Sequence, residues 1–273
     1  MPLGPLDLPG GPFLVLYGLL LALAVTAGLA IPALMRPAGA ARRVTNVDQL
    51  ALLAGGKARF NEAIVSRLLT AKALAIGGRG MIHVIAREPA ASPAERALLA
   101  MHLPMRWREV EAVLEPHRDA LERHLASAGL LMSSAERAKI RFFATLPYFL
   151  LLAFGAAKWT IGIARERPVG YLTALLILTA VAAIIRWIRL DRRTRAGREA
   201  VAIAREQAQR LKVAPTTPEI AQAVALFGTP VLLGSAWSDF HRMRHATGGG
   251  DAGTTGGSCG GGGGGGCGGC SAG

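Results

Sequence analysis

The chain has 273 residues, of which 51% are hydrophobic, and a net charge of +13. Its mean hydropathy of +0.35 is high for a soluble protein and fits several membrane spans with a modest soluble part. Only three Cys occur, Cys259, Cys267 and Cys270, all near the C-terminus, so no disulfide framework supports the fold, as expected for a core facing a reducing compartment.

Residues 1–12 are rich in Pro and Gly with one charge, Asp7. Phe13 to Met35 is a continuous apolar run, long enough for a ~30 Å hydrocarbon core. It has no basic residue before it and exceeds a signal-peptide core in length. Arg36, Arg42 and Arg43 follow directly and would hold that end inside. The run reads as a signal-anchor span, 13–35, with 1–12 outside.

The segment 36–141 carries 17 basic and 10 acidic residues, a net +7, and reads as a cytoplasmic domain. Val47 to Ala54 is a short helix capped by Asn46 or Thr45 and ended by Gly55-Gly56. Phe60 to Ala73 is a second helix, with Ile64, Val65, Leu68 and Leu69 at core spacing. Leu74-Ala75-Ile76, a Gly-rich turn, then Met81 to Ile85 reads as a β-hairpin. Helix, turn, helix and hairpin is the order of a winged-helix unit. A similar order follows. Ser92 and Glu95 form a capping box before a helix at 93–100. A second helix spans 110–114, Pro116 opens a third that ends at Gly129, and Leu130-Leu131-Met132 would be a strand. These features suggest a tandem winged-helix-like domain; the alternative is a plain helical domain with one hairpin.

Two more apolar runs form a hairpin. The first is 142–163, with Lys158 near its outer end, and the second is 171–188, with Arg186 near its inner end. Both cations can snorkel, and Trp159, Tyr171 and Trp187 lie at headgroup level. Neither run has a polar face with helical period, which argues against a buried hairpin in a soluble protein. Arg137, Lys139 and Arg141 precede the hairpin, and Arg186, Arg189, Arg192, Arg193, Arg195 and Arg198 cluster at its far end. The loop between the spans holds only Arg165, Glu166 and Arg167. This basic bias places both flanks in the cytoplasm and gives three spans with the C-terminus inside.

Residues 189–246 read as a cytoplasmic helical segment. One helix runs to about Lys212 and another covers Glu219 to Phe227, with Ile220, Val224 and Phe227 on one face. Val231 to Gly234 is too short to span. Residues 247–273 are almost all Gly, with Ser, Thr and the three Cys. They lack apolar groups to offset ordering entropy, so the tail should be disordered.

The order of an N-terminal span, "DQLALLAGG", "PAERALLA", "RERPVGYLTALLILTA", "RRTRAGR", "AVALFGTPVLL" and a Gly/Cys tract resembles a family of uncharacterised bacterial membrane proteins. In that family a conserved region precedes a low-complexity tail. "RTRAGRE" and "IAQAVALFG" are also similar to a broader set of predicted membrane proteins with a T-x-x-G helix and an L-P-x-A-x-A-L-G-like segment. Here Ala221 to Gly228 lacks the Leu-Pro start. The resemblance covers most of the chain and implies a membrane location without implying an activity.

No P-loop, G-x-S-x-G or H-E-x-x-H motif occurs, so no catalytic group or cofactor is expected. The spacing Cys259-x7-Cys267-x2-Cys270 offers three thiols as candidate metal ligands, one fewer than zinc normally takes. A linker with incidental thiols is the preferred reading, and His241 or His245 would have to complete a metal site. His117 and His124 share a solvated helix face. Arg118 and Arg123, on the second recognition-type helix, are the candidates for nucleic-acid contact, but Glu115, Asp119 and Glu122 beside them would repel phosphate. The positive charge attracts anionic lipid and nucleic acid alike. With an arginine-rich composition of only 5 Lys among 31 basic residues, charge discriminates little. The expected partners are the lipid bilayer and a cytoplasmic protein, with DNA as the less favoured alternative.

Overall fold

The computed structural model describes residues 10–40, 43–88, 90–102, 104–164 and 170–247. Residues 1–9 of the expected outer N-terminus 1–12, the loop 165–169 and all but the first residue of the expected tail 247–273 lie outside the described residues, and 10–12 belong to the first helix. In chain order the elements are α1 (Gly10–Met35), α2 (Val47–Thr70), β1 (Leu74–Ile76), β2 (Ile82–Val84), α3 (Pro93–Leu99) and α4 (Trp107–Ser127). There follow α5 (Ser134–Ala164), α6 (Gly170–Ile188), α7 (Arg195–Gln207), α8 (Arg210–Val213), α9 (Ile220–Phe227) and α10 (Ser238–Thr247).

Three helices, α1, α5 and α6, are long and apolar enough to cross a membrane, as the hydropathy pattern predicts. They pack against one another along their lengths. The Phe13 and Phe154 rings lie 5.5 Å apart. Tyr17 meets Thr179 through a buried hydroxyl pair at 3.1 Å, joining α1 to α6. Gly28 and Gly155 let helices close in: a Cβ on either would stand within 2.8 Å of Tyr148 or Tyr17, respectively. The outward faces carry Leu19, Leu23, Leu150 and Ile177, each at least 60% exposed. Water would penalise such a surface, and hydrocarbon does not.

The remaining elements form a helical domain at one end of this bundle. Asn46 caps α2 by accepting from the Asp48 and Gln49 amides. Gly56, at φ +67°, bends α2 where the sequence predicts a helix end, so the two expected helices are arms of one kinked element. β1 and β2 pair antiparallel, with Ala75 opposite His83. Ile82 also exchanges two 2.8 Å backbone bonds with Met105. The capping box of Ser92 and Glu95 forms as expected.

Two expectations need correction. The second unit does not repeat the first, because α4 runs unbroken through Pro116 and no helix starts there. One buried stripe, Trp107, Val110, Leu114 and Leu125, spans the whole element, and packing along it outweighs the single hydrogen bond that Pro removes. Leu131 makes only an isolated bridge to Arg193 instead of a wing strand. The helical segment 189–246 packs into the same domain. Val201, Ile220, Val224, Leu232, Phe240 and Met243 enter the same core as Leu53, Ile64, Leu68, Leu98 and Leu114. α9 lies against α2 and is buried on nearly every side, with Ala223, Val224, Ala225 and Leu226 fully enclosed.

Candidate functional site

Asp191 stands three residues beyond α6, where the bundle meets the domain. Its carboxylate accepts a 3.1 Å bond from Arg36 Nη1 and lies 3.2 Å from Arg198 Nε and 3.5 Å from Arg193 Nε. It also accepts from its neighbour's amide, Arg193 N, at 3.1 Å, fixing a local turn. Arg36 Nη1 donates in addition to the Arg193 carbonyl at 3.0 Å. One carboxylate thus serves three guanidiniums drawn from the ends of α1, α6 and α7.

The next residues explain the T-x-x-G spacing. Thr194 caps α7 by accepting from the Gly197 amide, while its hydroxyl lies 2.8 Å from the Gly129 carbonyl. Gly197 presses on the Leu130 carbonyl so closely that a Cβ would stand 2.1 Å from that oxygen. Arg195 and Ala196 donate to the carbonyls of Pro37 and Ala38, and Met132 donates to that of Arg192. Residues 191–197 therefore hold together the α1–α2 linker and the α4–α5 linker.

Deeper in the domain three arginines converge on two helix ends. Arg193 and Arg205 both donate to the Ala54 carbonyl, just before the Gly56 bend. Arg205 also reaches the Leu226 carbonyl and Arg59 the Val224 carbonyl, at the C-terminal end of α9. Helix C-termini leave carbonyls unpaired and carry partial negative charge, which these cations satisfy. Burial pushes all three below the ordinary arginine value, with neighbouring guanidiniums adding to the effect. Glu62 opposes the shift at Arg59, and Asp191 opposes it at Arg193. Gly228, at φ +94°, packs its backbone against the Arg59 guanidinium.

Where the sequence places candidate residues, the structure is specific. Arg118 is buried and paired with Glu115 at 2.9 Å and Asp119 at 3.3 Å. Arg123 is exposed and donates to the Asp119 carbonyl. The two do not form a common face for phosphate. His241 is buried, 3.1 Å from the Thr229 hydroxyl, and its ring lies 4.4 Å from that of His245. Burial, then the His245 charge, lowers the His241 pKa. Among the described residues no group of three His, Cys, Asp or Glu side chains could hold a metal. Cys259, Cys267 and Cys270 lie outside the described residues. The Asp191 junction and the buried arginines were not singled out from the sequence, although "RRTRAGR" carried the signal.

An apolar groove of about 330 Å³ opens between α1 and α5, lined by residues including Leu20, Ala24, Ala27, Pro147, Leu151 and Phe154. No family model, curated protein or solved structure matches the chain.

Proposed function

We propose that the chain is a non-enzymatic integral membrane protein whose helical domain docks a protein partner in the cytoplasm. Three spans, an outside N-terminus and a location in the bacterial inner membrane complete the proposal, as does kinship with the family of tail-bearing membrane proteins it resembles. The observation that carries it is the Asp191 junction. Three guanidiniums and a set of backbone bonds seat the domain on the bundle, so its outer surface stands at a set height above the bilayer. A docking platform requires such fixed presentation. The orientation rests on the basic residues at the domain end of the spans. The order of kinked α2, β1 and β2 resembles a winged-helix unit, a module that also serves protein binding.

The exposed side of α4, with Arg108, Ala112, Asp119, Ala120 and Arg123, is the favoured docking face. A photo-crosslinking residue placed at Ala112 or Ala120 of the full chain in cells should give one discrete protein adduct. Adducts to DNA would favour a membrane-tethered regulator, and random smearing from every face would remove the docking reading. Topology is tested by an impermeant maleimide, because every thiol lies in the tail. Labelling only after permeabilisation is expected. Labelling of intact cells would reverse the orientation. A metal- or redox-responsive tail is a further reading, with bound zinc lost on Cys→Ser replacement as its signature.

A further inference from the structure

The three spans each contribute one arginine at the level where the bundle joins the domain: Arg36 just beyond α1, Arg141 in α5 and Arg186 in α6. Their Nε atoms are buried, yet none donates to any acceptor among the described residues. The Arg36 side chain is only 7% exposed. Arg141 lies over the Trp187 ring at 5.1 Å, and Arg186 lies within Coulombic reach of Arg36 and Tyr148. Among the described residues, neither Arg141 nor Arg186 is paired with a carboxylate. Asp191, the carboxylate at this junction, is already shared among Arg36, Arg193 and Arg198. Arg36 is served by Asp191 and the Arg193 carbonyl, whereas Arg141 and Arg186 beside it have no anion among the described residues, so an anionic acceptor is favoured at this level.

The surroundings identify that acceptor. Phe142, Phe143 and Trp187 are about half exposed at this level, as headgroup-facing aromatic residues are. The apolar α1–α5 groove starts on α5 at Pro147, six residues or ~9 Å along the helix from Arg141, and runs toward the middle of the bundle. A phosphate with acyl chains matches both parts, with oxygens for the guanidiniums and hydrocarbon for the groove. We infer that Arg36, Arg141 and Arg186 form a binding site for the phosphate headgroup of an anionic phospholipid, one of whose acyl chains lies in the groove between α1 and α5. This inference rests on the three-span reading but not on the docking partner. A general attraction of basic flanks for anionic lipid would not need these particular residues.

The test uses the full chain in nanodiscs, with insertion confirmed first by carbonate-resistant membrane association. Failure at that step overturns the three-span reading as well as the lipid site. Native mass spectrometry then counts the lipids retained from phosphatidylglycerol or phosphatidylcholine discs. Preferential retention of one phosphatidylglycerol is expected, weakened about tenfold in Arg141→Gln/Arg186→Gln. Arg189→Gln, an exposed neighbour outside the cluster, should retain lipid like the parent. Ala27→Phe, which fills the groove, should weaken retention while leaving the arginines in place. Equal retention of both lipids, or an equal loss with Arg189→Gln, would overturn the site. So would equal stabilisation by inorganic phosphate in phosphatidylcholine discs, which would mark a soluble anion as the ligand. Arg141→Lys/Arg186→Lys guards against misfolding, since it keeps the charge and should restore part of the preference.

Discussion

Single contacts within the bundle act where water is absent. The hydroxyl pair of Tyr17 and Thr179 is buried between α1 and α6, so neither group has a solvent alternative. Tyr17→Phe should cost about 1 kcal/mol in denaturant-detergent unfolding, the usual yield of one interhelical hydrogen bond. Gly155→Leu should cost more and change helix spacing, because its Cβ would meet the Tyr17 ring and Leu176. In the domain, Glu219 accepts from the Thr216 amide and hydroxyl and from Arg210, and these bonds lower its pKa to about 2. Its unfolded value is higher, so its contribution is full above the unfolded pKa and is lost as pH falls toward about 2. Glu219→Gln should flatten that acid limb of a stability-versus-pH curve and leave the neutral region parallel to the parent. A limb unchanged by the substitution would place the titration elsewhere.

Elements differ in how plainly they are written in the sequence. The three helices long and apolar enough to cross a membrane are legible because twenty or so apolar residues in a row have few other uses. The Asn46 cap, the Ser92–Glu95 box and the β1–β2 hairpin are also legible, being set by neighbours within a few residues. The continuity of α4 is not, since Pro116 opens helices as often as it interrupts them, and tertiary packing decides. Nor is the place of α9. The sequence reads as a helix with Ile220, Val224 and Phe227 on one face, yet α9 is buried nearly all round in the core opposite α2, and nothing local declares a partner 165 positions away. The consequence is direct. Leu226→Ala should cost about 3 kcal/mol as a core cavity. A fragment of 44–139 should fail to show cooperative unfolding, whereas 44–132 joined to 189–247 should show it in calorimetry. Cooperative melting of the shorter fragment would mean that α9 is dispensable.

Across the whole molecule the candidate site follows the same division. The arginines after the last span are visible in the sequence as a topology signal. Their assembly around Asp191 with Arg36, which precedes it by 155 positions, becomes visible only once the helices are packed. Asp191→Asn removes the one carboxylate from three guanidiniums. It should cost about 2 kcal/mol, less than a fully buried pair because Asp191 is 30% exposed. Spin-label distances between the bundle and α4 should broaden in this variant while each part stays folded. Distances as narrow as the parent's would show that the backbone bonds of 192–197 hold the seat alone.

α5 passes from the domain junction into the bundle as one helix of 31 residues. At 1.5 Å per residue that is ~46 Å, against a hydrocarbon core of ~30 Å. The surplus acts as a lever. For a helix that crosses a bilayer, thinning or thickening changes its tilt, and α5 runs without a break at Arg141, its one internal Pro being Pro147 further along. The tilt of α5 is thereby geared to the angle at which α4 is presented.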